Sequence, residues 1–253
     1  MRRFYLPPSQ CTGPVWNLSE SDARHAVQVL RTTAGEPVVI LDGAGGEWRC
    51  EVIECGRKHV RLKPGAQTRH KPLPARVTLV QAITKGKSMD WIVQKATELG
   101  VSRIVPVLSD RSVPSLDDEA AEDKVEKWMQ IAIESIKQCG SPWLPTIEPP
   151  RSVQAILQHR ERFECALVAS LAPEARHPRT VFDAFRRERG RGPISVAVWV
   201  GPEGDFTPAE LADIGSAGFT PITLGPLVLR SETAAAYCLS IISYETGGSP
   251  GAG

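Results

Sequence analysis

The chain has 253 residues, of which 42% are hydrophobic and 23% charged, with a formal net charge of +1. That balance excludes a disordered chain, and the length is enough to bury a core without disulfide staples. It carries no global charge signal for a polyanionic partner. The charge is unevenly spread: the first 75 residues hold 11 Lys and Arg against 7 Asp and Glu, and the remainder 19 against 22. A mildly basic N-terminal quarter fits a nucleic-acid-contacting module and a few extra surface cations equally well.

In chain order, residues 1–72 read as a small β-rich module. Asp22 to Arg31 form a short helix with Ala23, Ala26, Val27 and Leu30 on one face and Ser19 or Ser21 as cap. Val38 to Leu41 is an apolar strand, Asp42 to Gly46 supply a turn, and a return strand runs past Trp48, Cys50 and Val52. His59 to Lys63 is another strand. His70-Lys71-Pro72-Leu73-Pro74 reads as a linker, because two prolines keep the chain extended.

Beyond it strands and helices alternate through residues 73–247. Val77 to Ala82 is a strand. A helix follows from Ser88 to Leu99, stopped by Gly100. Ile104 to Leu108 is a strand, and 118–139 is a long helix with Val125, Trp128, Met129, Ala132, Ile133 and Ile136 in its stripe. Ala166 to Ser170, Ile194 to Val200 and Ile222 to Leu224 are strands, and Thr233 to Tyr244 is an apolar helix. Residues 248–253 read as a flexible tail. This alternation is the mark of an α/β domain with a mostly parallel sheet covered by helices. Such sheets bind ligands at the carboxyl ends of their strands. Ser170-Leu171, Gly201 to Asp205 and Gly225 to Arg230 therefore share the expected ligand edge.

The six cysteines include no Cys-x-x-Cys pair, so no metal site is expected; Cys50, Cys165 and Cys238 lie in apolar runs. No stretch resembles a signal peptide or a membrane span, and the cytoplasm is the expected compartment.

Two loops carry the chemistry. Gly201-Pro202-Glu203-Gly204 follows a strand and precedes Thr207-Pro208-Ala209-Glu210, a capping-box pattern. Neither nucleotide-binding glycine fingerprint is present, and Glu203 and Asp205 make the loop unsuited to phosphate. A cationic or neutral ligand suits it better; a plain strand-to-helix turn is the other reading. In the second loop Leu227, Val228 and Leu229 are apolar in an exposed crossing, which stays ordered only when packed on a ligand, a partner or the protein itself. Arg230 suits a phosphate or carboxylate, or an internal pair with Glu232.

The set Val200-Gly201-Pro202-Glu203-Gly204 plus Leu224-Gly225-Pro226-Leu227-Val228-Leu229-Arg230-Ser231-Glu232-Thr233 resembles the RsmE family, which methylates N3 of a uridine in 16S ribosomal RNA and belongs to the SPOUT class of knotted methyltransferases. Three further stretches agree. They are Lys85-Gly86-Lys87-Ser88-Met89-Asp90 with Gln94 to Val101, Trp128 to Gly140 ending in Lys137-Gln138-Cys139-Gly140, and Arg3-Phe4-Tyr5 with His25 and Val29-Leu30-Arg31. The resemblance spans nearly the whole chain.

It implies a PUA-like β-barrel domain (1–72), a trefoil-knotted SPOUT domain with helices on both faces of its sheet (73–247) and a homodimer. The implied cofactor is S-adenosyl-L-methionine (SAM), held by Ser170, Leu171, Val200, Gly201, Pro202, Glu203, Gly204, Leu224, Gly225, Leu227, Val228, Leu229, Arg230 and Thr233. Arg230 would position uracil or its phosphate and stabilise charge developing on the base. Glu232 would orient Arg230 or take part in proton removal. Arg2, Arg3, Arg31, Arg49, Lys85 and Lys87 would contact the RNA, 16S rRNA in the small ribosomal subunit. The chain departs from the family pattern twice, at Asp205, usually glycine, and at Ser141, usually arginine. Two alternatives stand beside this reading. One is another SPOUT enzyme acting on transfer RNA or a ribose hydroxyl, against which the Leu229 to Thr233 loop speaks. The other is a non-catalytic ribosome-assembly protein, against which Gly201, Gly204 and Gly225 speak.

Overall fold

The computed structural model describes residues 1–111 and 118–247; the tail expected at 248–253 lies outside the described residues. The chain divides into two compact units, one of residues 1–72 with 133–144, the other of 73–132 with 145–253.

The first unit is a five-stranded sheet of β1 (Arg2–Tyr5), β2 (Trp16–Asn17), β3 (Pro37–Leu41), β4 (Gly46–Cys55) and β5 (Val60–Arg69), in the order β1-β3-β4-β5-β2. β1 runs parallel to β3 and the other pairs are antiparallel. Alternating residues of β3 and β4 enter a core with Phe4, Trp16, Leu18 and Leu62, where Trp16 and Trp48 meet edge to face at 5.1 Å. The β3–β4 turn is held by Asp42, whose Oδ1 accepts from the Ala44 and Gly46 amides at 2.8 and 2.7 Å. The helix expected from Asp22 starts slightly earlier, as α1 (Glu20–Arg24) capped by the Ser19 hydroxyl, and runs on as a π-turn over His25–Val29.

Residues 133–144 complete this unit. The Arg3 guanidinium donates to the Lys137 and Gln138 carbonyls, whose helix ends with Gly140 at φ +82°. A Cβ on Gly140 would lie 2.9 Å from the Arg3 guanidinium carbon. Arg2 is likewise engaged, with Glu36 and Thr32. Two of the four arginines expected to contact RNA, Arg2 and Arg3, thus each hold bonds within the unit. At Ser141 the hydroxyl folds back on its own loop, bonding the Trp143 carbonyl and amide at 3.0 and 3.2 Å.

The second unit is a parallel sheet of β6 (Arg76–Ala82), β7 (Arg103–Leu108), β8 (Thr146–Ile147), β9 (Arg151–Ser152), β10 (Cys165–Ala169), β11 (Ser195–Val200) and β12 (Thr220–Ile222), in the order β12-β10-β11-β6-β7-β8 with β9 also on β7. Helices α2 (Ser88–Glu98), α3 (Asp118–Cys139), α4 (Val153–Gln158), α5 (Pro178–Arg189), α6 (Pro208–Ser216) and α7 (Ser231–Thr246) connect and follow the strands. β6 and β11 are buried on both faces, hence the apolar run of β11 and the largely apolar β6, in which Thr78 and Gln81 are buried polar exceptions. Ala197 and Trp199 of β11 face Val153 of α4 and Ile214 of α6. The opposite face carries α7, which packs on β6, β11 and α2. Trp199 meets Phe206 and Phe219 edge to face at 5.9 and 5.8 Å. Full burial of each such ring stabilises by roughly 1.5–3 kcal/mol. Burial pushes the thiols of Cys165 and Cys238 up to about 12, so both are inert core groups.

Candidate functional site

The carboxyl ends of three neighbouring strands, β12, β10 and β11, deliver three loops to one cleft. Its walls are Ala169, Ser170 and Leu171 after β10, Val200 to Glu203 and Asp205 after β11, Leu224, Gly225 and Leu227 to Leu229 after β12, and Ser231 and Ala234 of α7.

Each loop has a local reason for its shape. Gly201 is pressed against the turn that follows it: a Cβ there would lie 3.0 Å from Asp205 Oδ1 and 3.2 Å from the Phe206 nitrogen. The Asp205 amide closes the turn on the Pro202 carbonyl at 2.9 Å. Asp205 has φ +60°, a region that Asp tolerates better than most side chains. Arg111 donates to the Gly204 carbonyl. The capping box expected at Thr207 and Glu210 is present and extends further. The buried Glu210 carboxylate accepts from the Thr207 amide at 2.8 Å and also from the Asp110 amide, tying the ends of β7 and β11. Glu210→Ala should lower stability by roughly 2–3 kcal/mol, because it strands two amides that a charged acceptor now satisfies. Urea unfolding followed by circular dichroism measures it; a change below ~0.5 kcal/mol would contradict the role.

The cleft floor is a single hydroxyl. Ser231 Oγ donates to the Gly201 carbonyl at 2.6 Å and accepts from Gln81 Nε2 at 2.9 Å. Both side chains are buried, and Gln81 Oε1 finds no partner among the described residues. The loop after β12 opens with Gly225 at φ +109° and leaves Leu227 and Val228 each 73% exposed.

The sequence expectations map onto this geometry unevenly. Ser170, Leu171, Val200, Gly201, Pro202, Glu203, Leu224, Gly225, Leu227, Val228 and Leu229 line the cleft, whereas Gly204, Arg230 and Thr233 do not. Arg230 sits at the N-cap of α7, exposed, and Glu232 lies in the first turn; among the described residues no bond joins the two. Ala169, Ser231 and Ala234 line the cleft without having been expected there, and Asp205, expected on the ligand edge but not among the cofactor residues, lines it too. Asp205 had a visible signal, its departure from glycine. Ser231 had none, since its partners lie 30 and 150 residues away. Arg31, Arg49, Lys85 and Lys87 are exposed and make no side-chain bond among the described residues. Lys95 and Glu98 pair with each other at 2.8 Å.

A wider cleft of about 1000 Å³ lies elsewhere in this unit, between the ends of α4 and α6. Arg103 and Arg151 on its rim are taken up by Glu148 and Glu161, while Arg160 and Arg162 on the same rim form no ion pair among the described residues. The smaller cleft, with its three loops, is the better candidate.

Among the described residues no His, Cys, Asp and Glu grouping could hold a metal, and no helix is long and apolar enough to cross a membrane.

Residues 71–243 match the model of an RNA methyltransferase domain, and residues 18–65 that of an RNA methyltransferase PUA domain. The chain is 32% identical to the Ribosomal RNA small subunit methyltransferase E of Bacillus subtilis over 97% of both chains. It is 30% identical to the protein of that name from Aquifex aeolicus over 89% of this chain and 92% of the relative. A methyltransferase of Legionella pneumophila in complex with SAM superposes with a TM-score of 0.85 at 29% identity, covering 96% of each chain. The Ribosomal RNA small subunit methyltransferase E of Neisseria gonorrhoeae, bound to S-adenosyl methionine, does so at 0.83 and 27%, covering 96% of this chain and 97% of the other.

Proposed function

This chain belongs to the RNA methyltransferase family of the small-subunit methyltransferase E proteins, and on that premise we propose that it methylates ring nitrogen N3 of a uridine in 16S ribosomal RNA. It is a SAM-dependent methyltransferase of small-subunit ribosomal RNA. The observation that carries the cofactor reading is the cleft itself. Its lining is backbone, apolar side chains, the serines Ser170 and Ser231 and two carboxylates, with no basic residue, and Gly201 lets the turn that carries Asp205 pack directly on the end of β11. A cofactor with a flat apolar ring and net positive charge fits that lining.

When bound, SAM supplies a methyl group on a sulfonium, whose carbon–sulfur bond breaks as the bond to N3 forms, the electron pair staying on sulfur. The chain's residues do the rest. The three loops hold the cofactor and leave the exposed Arg230 at the α7 N-cap to receive the base. Its guanidinium positions the uracil and stabilises the negative charge left when the N3 proton departs. Glu232 either orients Arg230 or accepts that proton. The base must be drawn out of the RNA fold for any of this to occur. RNA contact falls to Arg2, Arg3, Arg31 and Arg49 in the first unit and to Lys85 and Lys87 in the second; of these, Arg31, Arg49, Lys85 and Lys87 make no internal side-chain bond among the described residues.

A homodimer belongs to the same proposal. Leu227, Val228 and Tyr244 are 73%, 73% and 84% exposed. The cleft of one chain encloses about 60 Å³, well below the ~300–1,000 Å³ of small-molecule sites. A second copy covering the 224–229 loop would complete it. The Ser231 bond to Gly201, which draws the chain after β12 against the loop after β11, supports the knotted path expected for the second unit. A ribosomal RNA substrate supports the cytoplasm as its compartment.

Mapping methylated uridines in small-subunit RNA by mass spectrometry, from cells with and without the protein, tests the proposal. One N3-methyluridine should vanish with the protein. An unchanged map would sink the reading, and failure to bind SAM in calorimetry would favour a non-catalytic assembly protein.

A further inference from the structure

We propose that Asp205 makes the cofactor cleft a charge filter, one that retains the positively charged SAM and releases S-adenosylhomocysteine, the neutral-sulfur product of methyl transfer. The inference rests on the reading that this cleft binds SAM, and it concerns the residue at which the chain carries a carboxylate in a tight turn.

Three observations converge on Asp205. Its backbone occupies the left-handed region at φ +60°, a conformation that favours glycine and that Asp and Asn tolerate best among the other residues, and here it carries a carboxylate. Its Oδ1 accepts from the Phe206 amide at 2.8 Å and stands 3.0 Å from where a Cβ on Gly201 would be, which pins the carboxylate to the cleft wall. Asp205 is half-buried and belongs to the lining.

The surroundings give that carboxylate its effect. The ionisable groups of the lining are Glu203 and Asp205 alone, with no Lys, Arg or His among them. Arg111, the cation that reaches this loop, donates to the Gly204 carbonyl and forms no ion pair with either acid among the described residues. The cleft therefore presents negative charge with no cation in its walls.

SAM and S-adenosylhomocysteine are close in shape. They differ by one methyl group and by the unit charge on sulfur, which is lost as the methyl carbon leaves. A wall of neutral groups separates such a pair weakly, whereas a fixed carboxylate separates them by their charge. In a half-wet cleft one such charge is worth about three- to tenfold in affinity. The preference matters after the reaction, because product that binds as well as substrate occupies the cleft between turnovers.

The test is isothermal titration of the full chain with SAM and with S-adenosylhomocysteine, for the wild type, Asp205→Asn and Asp205→Gly. Asp205→Asn keeps the side-chain size, tolerates positive φ, and retains an oxygen to accept from the Phe206 amide, so the loop survives. Both variants should weaken SAM by about three- to tenfold and change S-adenosylhomocysteine by less than about twofold. The wild-type preference should shrink as salt is raised, and that of Asp205→Asn, which retains only the exposed Glu203, should shrink less. Equal shifts for the two ligands, or no shift in either, would overturn the inference and leave the cofactor reading standing. Wild-type protein that binds neither ligand would overturn both.

Discussion

Arg230→Ala should abolish methyl transfer while leaving SAM affinity within a few-fold of the wild type. The expectation follows from where the side chain stands. Arg230 is exposed at the α7 N-cap, does not line the cleft, and makes no side-chain bond among the described residues. Truncation therefore removes no packing and no internal hydrogen bond. The N-cap backbone stays, since the Arg230 carbonyl already accepts from the Ala234 amide at 2.9 Å through main-chain atoms alone. What is lost is a cation next to the cleft residues Leu229 and Ser231, the one proposed to meet charge developing on the base. Removing one such donor typically costs about 10²–10³ in rate. Single-turnover transfer of radiolabelled methyl to small-subunit RNA measures the rate, and calorimetry the affinity. Arg230→Lys, which keeps the charge but not the planar fork, should recover part of the rate. A variant that methylates at more than about a tenth of the wild-type rate would remove Arg230 from the mechanism.

The second large effect is expected at Gly201. Gly201→Ala should weaken SAM at least tenfold, corresponding to about 1.4 kcal/mol, within the usual range for forcing a methyl group into packed space. The added carbon would meet Asp205 Oδ1, the Phe206 nitrogen and Asp205 Cα at 3.0, 3.2 and 3.3 Å. Two of these are backbone atoms of a turn, which cannot swing aside as a long side chain would. The turn must shift, taking Asp205 and the wall of the cleft with it. Gly215→Ala is the control: that glycine lies in α6, and a Cβ there meets nothing within 4 Å. It should leave SAM affinity unchanged and alter stability by less than about 1 kcal/mol. Equal SAM affinity in wild type and Gly201→Ala would show that the turn is not part of the cofactor site.

Much of the cleft could be read from local pattern. The capping box at Thr207 and Glu210, the stop at Gly100 and the apolar run of β11 depend on neighbours in the chain, and each stands where expected. Elements decided by distant partners were harder to see. β1 has four residues and is a strand because Arg2 to Tyr5 lie along β3. Helix α5 hides behind its arginines, although the His177 cap, Pro178 in the first turn and Gly190 at φ +68° mark both ends. Nothing local to 133–144 shows that it joins residues 1–72, since that depends on Arg3 reaching the carbonyls of Lys137 and Gln138. The internal bonds of Arg2 and Arg3 are invisible locally for the same reason. For a cation, exposure to RNA and commitment to an internal acceptor are written in the same residue type, and only the fold separates them.

The single hydroxyl of Ser231 also sets an order of events during synthesis. It closes the cleft floor by joining Gln81 of β6 to the end of β11, and it arrives on the last described helix. Until that helix has left the ribosome and docked, the Gly201 carbonyl and the Gln81 amide have no shared partner. Contacts that span so much sequence form late and slowly, because the intervening chain must be ordered before they are made. A nascent chain lacking α7 can pair β6, β10 and β11 and still have no finished cofactor floor. Cofactor capture thus waits on the docking of α7.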